Sequence, residues 1–419
     1  MGNFVGYQCS LCHTEYNPDD LIYTCPKDGG NLDVFLDYEY LKKNLQRDEI
    51  NALSEPSLWR YLTLLPVEDP GSVGTPLRYA GWTPTFQPQS LAQNLGLDWL
   101  WIKDESRNPT ASFKDRASAV VVARARHIHA DVVVTASTGN AGAALAGMAA
   151  AAGQKAVIFA PRTAPSAKIA QLLVFGSQVI LVDGNYDEAF DLTIEASQEF
   201  GWYCRNTGYN PFTAEGKKTA AFEIWETVIK PGLQMQVFDR RPLVIFIPVG
   251  DGNIISGIHK GFKDLQEIGW LDQMPRLFGV QAEGSPAIYN SFISGTEDIQ
   301  PVSAQTIADS ISVDLPRDGV RAVRAARQTG GQYLTVNDTD ILKAIANLGT
   351  AGIFAEPAGA SAYAGLEKAL ANGMVDPDDP ILVLNTGSGL KDVKAAMQAV
   401  QPAPVIEPSL NSLKKYLGI

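Results

Sequence analysis

From about residue 97 onward the chain alternates between two kinds of segment. Short unbroken apolar runs (LDWLWIKD, DVVVTAS, QKAVIFAP, SQVILVD, PLVIFIPVG, RLFGVQAE, GIFAEP and PILVLNTG) punctuate it. Between them lie alanine-rich or amphipathic segments of helical length, including FKDRASAVVVARARHI, AGAALAGMAAAAG, YDEAFDLTIEASQEF, TAAFEIWETVI and AGASAYAGLEKALANG. Apolar runs without polar alternation read as strands buried on both faces, and parallel strands need helical crossovers. The pattern therefore predicts an α/β fold with open, mainly parallel sheets. Residues 1–35 are instead cysteine- and turn-rich. Residues 36–90 read as an arm, in which Pro66, Pro70, Pro76, Pro84 and Pro88 argue against long helices.

A chain of 419 residues with 45% hydrophobic content is long enough for two globular domains and a small appendage. Lys and Arg total 34 against 46 Asp and Glu, a formal charge of −12. Such a surface repels polyanions, so neither nucleic acid nor an anionic membrane is an expected partner. No basic, apolar leader opens the chain, and no apolar run is long enough to span a bilayer. Of the four cysteines, Cys9, Cys12 and Cys25 cluster near the start. That clustering fits a metal site in a reducing compartment better than a disulfide framework, and a cytoplasmic protein is expected.

Four turns at strand ends carry candidate chemistry, since ligands of open α/β sheets bind at the carboxyl ends of strands. In NPTASFKDR (108–116), Lys114 lies just inside a helix start, where the helix dipole and limited solvation would expose a neutral, nucleophilic amine. The competing reading is a surface lysine paired with Asp115. In ASTGNAGAALAGMAA (136–150), Ser137, Thr138, Gly139 and Asn140 open a helix that can hold a carboxylate, or simply cap it. In PVGDGNIISGIHKGF (248–262), Gly250, Gly252 and Asn253 can cradle a phosphate with backbone donors, without the lysine of a nucleotide-binding loop. In LNTGSGLKD (384–392), Thr386 and Ser388 each offer a hydroxyl to a ring nitrogen or to a helix cap.

In this order and spacing the four turns resemble the tryptophan-synthase-β-like enzymes of fold type II, which depend on pyridoxal 5′-phosphate (PLP). Their threonine-synthase-like branch fits best, over about residues 55–395 and including SLWRY and GWTP. The resemblance implies two open parallel-sheet α/β domains with PLP in the cleft between them. It places a ribbon at 1–35, an arm and the start of the large domain at 36–111, a small domain at 112–210 and the rest of the large domain at 211–419. Lys114 matches the lysine that carries the cofactor and shuttles protons, and Asn140 matches the contact to its ring oxygen. Gly250, Asp251, Gly252, Asn253 and Ile254 match the cofactor-phosphate loop, and Thr386 matches the neutral partner of the ring nitrogen. Ser137, Thr138 and Gly139 match the clamp on the substrate carboxylate. The implied activity is a carbon–oxygen lyase taking O-phospho-L-homoserine and water to L-threonine and phosphate, in a homodimer. A paralogous serine or threonine dehydratase, diaminopropionate ammonia-lyase or cysteate-synthase-like enzyme is the alternative.

Three departures bear on substrate and metal. Thr213 stands where the family carries an arginine for the substrate phosphate, and a hydroxyl does not replace bidentate arginine. Lys217, at a position usually glutamine, either compensates in substrate binding or is a solvated helix charge. Asp251 puts an acid in the phosphate loop, where it is expected to turn away and cap the helix. Ala111 replaces a common glycine. Finally, Cys9, Cys12, Cys25 and Asp28 resemble a zinc ribbon whose fourth cysteine is replaced. Either they hold a structural zinc or they are a remnant that folds by packing. Cys204 reads as a core residue.

Overall fold

The computed structural model describes residues 3–20, 22–164, 166–238 and 241–419. At the N-terminus, β1 (Phe4–Cys9), β2 (Glu15–Tyr16) and β3 (Leu32–Leu36) form a small antiparallel sheet, with β1 in the middle. The proline-punctuated arm that follows contains only short helical turns, among them Tyr38–Asn44, Arg47–Ala52 and Leu58–Leu64, as expected. Arg60 and Tyr61 of that arm clasp the body through Glu226, at 2.6 Å and 2.7 Å.

Beyond the arm the chain enters a large sheet through β4 (Thr85–Phe86) and β5 (Leu100–Asp104). It then leaves to build a second sheet from β6 (Val132–Ala136), β7 (Lys155–Pro161), β8 (Gln178–Val182) and β9 (Tyr203–Cys204). It returns to the first through β10 (Val244–Pro248), β11 (Arg276–Ala282), β12 (Gln332–Val336) and β13 (Ile381–Asn385). The large sheet runs β12-β11-β10-β13-β5-β4, parallel except at β4, and the small one runs β8-β7-β6-β9, all parallel. Most of the apolar runs are these strands. GIFAEP is not one: only Ala355 makes a bridge, to Ser388, before a helix starts at Pro357. Proline at the first helical position is compatible with that start and removes a donor a strand would need. Conversely β12 has no counterpart among the apolar runs.

The central strands β5, β10 and β13 are buried at every position, which is why they carry no polar alternation. Their side chains nevertheless divide by two-residue period. Val244, Phe246 and Val383 join a core with the helix Pro357–Ala371, while Ile245, Ile247, Leu382 and Leu384 join one with the helices Phe212–Ile224 and Asn253–Glu267. Helices thus cover both faces. No helix among the described residues is long and apolar enough to cross a membrane.

Candidate active site

The turns after β6, β10 and β13 open into one cavity of about 470 Å³, also lined by Lys114. Every residue expected to bind cofactor or substrate lines it: Lys114, Ser137, Thr138, Gly139, Asn140, Lys217, Gly250 to Ile254, and Thr386. The size suits a small cofactor with an amino-acid substrate.

Lys114 begins the helix Lys114–His127. The segment before it is fastened to the Thr386 turn: Phe113 N donates to Thr386 O at 2.9 Å, and Ser388 N to Ala111 O at 3.1 Å. Ala111 sits at φ 65°, in the left-handed region, which accounts for a glycine being common there. Asp115 is buried and turned away from Lys114, accepting from Thr110 N at 2.5 Å, so the surface-pair reading fails. Arg116 is also buried. It bonds Glu105 at 2.7 Å and Glu223 at 2.7 Å, tying the helix to β5 and to the helix Phe212–Ile224. With its neighbours so occupied, Lys114 faces the cavity, and its pKa is pushed down to about 8. Burial is the main cause and the Arg205 guanidinium the second, while Asp251 and Glu356 oppose them.

Two helix N-termini face the same space. The helix Asn140–Ala152 starts after the Ser137 turn and has no side-chain cap. Gly142 packs so tightly on Ser137 that a Cβ would collide with the Ser137 carbonyl oxygen. The helix Asn253–Glu267 starts after Gly252, which lies at φ 90°, and it too has no side-chain cap. A Cβ on Gly250 would come within 2.9 Å of Ile311, and one on Gly252 within 2.6 Å of the Asp318 carbonyl. Uncapped N–H groups framed by glycines fit a phosphate. Asp251 does not cap this helix. Its carboxylate accepts from Arg317 N at 3.4 Å and still lines the cavity, where burial raises its pKa. The two hydroxyls of the last turn separate. Ser388 accepts from Leu390 N at 3.3 Å as a cap, while Thr386 alone lines the cavity.

Lys217 is fully buried and donates to Asn253 Oδ1, so the solvated-charge reading is wrong. Burial, reinforced by Lys114 and Arg205, drives its pKa far below that of a free lysine. Thr213 is also buried, but its hydroxyl is spent on Asn210 O at 2.7 Å and Asn253 Oδ1 at 3.2 Å. Among the cavity residues not read from the sequence, Glu356 and Arg205 stand out by their burial. Glu356, buried, receives Asn140 Nδ2 at 2.8 Å and 3.0 Å. Its only sequence cue is an acid just before the proline that starts a helix. Arg205 follows β9 directly and is entirely buried.

Away from the cavity, Cys9, Cys12, Cys25 and Asp28 bring their ligand atoms within 4.8 Å of one another. Cys12 Sγ lies 3.7 Å from Cys25 Sγ, and Cys9 Sγ 3.3 Å from Asp28 Oδ1. Tetrahedral zinc with bonds of about 2.3 Å sets its sulfur ligands about 3.8 Å apart, so the donor set fits that ion. Cys204 is buried, as expected, and burial pushes its thiol up to about 12.

Residues 77–387 match the family model described as "Pyridoxal-phosphate dependent enzyme". The chain is 38% identical over 413 residues to threonine synthase from Methanocaldococcus jannaschii, covering 98% of each. It is 35% identical over 414 residues to threonine synthase from Methanosarcina acetivorans, again covering 98% of each. Among solved structures, the processed form of threonine deaminase isoform 2 from Solanum lycopersicum superposes with a TM-score of 0.65 at 22% identity. That match covers 85% of this chain and 89% of the other, and it shows the shared fold.

Proposed function

Because the chain belongs to the pyridoxal-phosphate-dependent enzymes, with threonine synthases as end-to-end relatives, we propose that it converts O-phospho-L-homoserine and water to L-threonine and phosphate. It is a PLP-dependent lyase of the threonine synthase type. One observation carries the assignment of its parts: a single cavity holds an amine of lowered pKa, two uncapped helix N-termini and a neutral hydroxyl.

When bound, PLP supplies an electron sink that acidifies the α- and β-carbons of an amino acid. Burial lowers the pKa of the free Lys114 amine, which would carry the cofactor and, when released from it, accept and return protons. Gly250, Gly252, Asn253 and Ile254 hold the cofactor phosphate on the backbone N–H groups that open their helix, and Asp251 completes that loop. Ser137, Thr138 and Gly139 take the substrate carboxylate at the other helix start. Asn140, held by Glu356, would contact the ring oxygen of the bound cofactor. Thr386, a neutral hydroxyl lining the cavity, would partner the ring nitrogen of the bound cofactor, which would favour elimination and replacement over transamination. The buried guanidinium of Arg205 favours a phosphorylated substrate over those of the paralogous dehydratases and ammonia-lyases.

The same reading places the small domain at 112–210, with segments on either side forming the large one, and the working enzyme as a cytoplasmic homodimer. It also gives Cys9, Cys12, Cys25 and Asp28 a structural zinc. Metal analysis should return one zinc per chain, lost in Cys12→Ser; a chain purified without chelator that holds no metal refutes this part. For the activity, the holoenzyme is mixed with O-phospho-L-homoserine. Phosphate and threonine are expected in equal amounts, and neither from Lys114→Ala. A yellow wild-type protein that releases no phosphate would sink the assignment.

A further inference from the structure

Three anions must be held in this cavity if the proposed reaction is right: the substrate carboxylate, the cofactor phosphate and the substrate phosphate. The first two have helix N-termini. The family's arginine for the third is Thr213 here, whose hydroxyl is already occupied.

Among the described residues two arginines have no exposed surface, and Arg205 is built differently from Arg116. Arg116 is paired with Glu105 and Glu223, and its pKa is raised. Arg205 donates from Nε to Ser118 Oγ at 3.2 Å and from Nη1 to Thr207 Oγ1 at 2.7 Å, while Nη2 has no partner. Its carboxylate partner is missing among the described residues, and burial pushes its pKa down to about 10. A buried charge without a counter-charge is a costly arrangement, and such sites recur where a ligand supplies the opposite charge. The guanidinium is also rigidly mounted. Arg205 N donates to Val134 O at 2.8 Å, and Asn206 Oδ1 accepts from Ala136 N at 2.8 Å. Two residues beyond Asn206, Asn31 of the N-terminal sheet region grips the Gly208 carbonyl at 2.6 Å.

We infer that Arg205, with Thr207 beside it, is the anchor for the phosphate of the substrate, taking over the task of the arginine absent at position 213. This rests on the reading of the chain as an O-phosphohomoserine-consuming enzyme. Arg205 binds the phosphate dianion in the ground state. When the Cγ–O bond breaks, the electron pair leaves on the phosphate oxygen, and the guanidinium holds the charge that develops there. A proton leaves Cβ as the Cγ–O bond breaks and ends on the released phosphate; water then adds its hydroxyl at Cβ and its proton at Cγ, so that substrate plus water equals threonine plus phosphate.

The test uses the holoenzyme and the variants Arg205→Met and Arg205→Lys. Turnover of O-phospho-L-homoserine, inhibition by inorganic phosphate and the spectral response to L-threonine, which lacks a phosphate, are read together. Arg205→Met should retain PLP and bind L-threonine as the wild type does. Its KM and the inhibition constant of phosphate should each rise roughly 10- to 100-fold, with kcat also reduced. Arg205→Lys should recover part of the loss. Unchanged phosphate inhibition in Arg205→Met overturns the inference. So does loss of PLP, which would assign the arginine to the cofactor, or failure to fold, which would make it structural. If the wild type itself does not turn over O-phospho-L-homoserine, the proposed activity fails. The phosphate site is then judged separately, by whether inorganic phosphate raises the melting temperature of the wild-type holoenzyme but not of Arg205→Met.

Discussion

Substituting Glu223→Gln should destabilise the enzyme by several kcal/mol, because the carboxylate closes a charge balance in a dry interior. Lys103, Glu105, Arg116 and Glu223 are all essentially inaccessible to solvent. Two cations oppose two anions, so the group is neutral. Glu223 meets Lys103 at 2.8 Å and Arg116 at 2.7 Å, and it accepts the backbone N–H groups of Trp82 and Thr83 at 2.7 Å and 3.2 Å. Burial alone would raise its pKa, but Arg116 and Lys103 outweigh that and lower it. Its stabilising contribution is therefore present above about pH 4.5 and fades as pH falls through the lowered value. The glutamine variant leaves one uncompensated buried positive charge. Breaking a buried pair in this way costs about 3–5 kcal/mol. The assay is urea denaturation of the holoenzyme beside the double variant Lys103→Met/Glu223→Gln, in which Arg116 and Glu105 again balance. At least half of the loss should return in the double variant. A single variant within about 1 kcal/mol of wild type, or a double variant no better than the single, would refute the charge-balance argument.

Ala111→Gly should stabilise by about 0.5–1 kcal/mol in the same denaturation assay, because alanine at φ 65° carries a steric penalty that glycine escapes; a loss of stability would contradict this. Gly216→Ala places a Cβ against the Arg116 carbonyl in the first turn of the Lys114 helix. We expect kcat to fall about 10- to 100-fold from displacement of that helix, with wild-type kinetics the refuting result. In the PLP-free enzyme, acetylation of Lys114 followed by mass spectrometry should show a midpoint near pH 8, since burial favours the neutral amine; a midpoint above pH 10 would show the amine to be solvated.

What the sequence by itself determined was local. Continuous runs such as VIFIP and ILVLN identify strands buried on both faces, because no side of them meets water. Glycine and hydroxyl turns at the strand ends located Lys114, the two helix starts and Thr386, since a tight turn before a helix demands small residues at fixed places. Spacing likewise exposed the cysteine cluster, whereas the missing arginine at 213 shows only against the family pattern. Only the tertiary structure decided what depends on partners distant in sequence. Lys217 reads more readily as a solvated charge until Asn253, 36 residues on, is seen against it. Asp251 reads as a cap until its carboxylate is found on Arg317 N, and GIFAEP reads as a strand until its single bridge is counted. Lys103 interrupts an apolar run without explanation until Glu223 appears beside it. Arg205 carried no motif at all, because a lone arginine after a two-residue strand gains its meaning from an unpaired guanidinium in a shared cavity. Backbone preference and hydrophobic period act between near neighbours and so are written along the chain. Desolvation and charge pairing act between whatever the fold brings together, and only the folded chain fixes those distances.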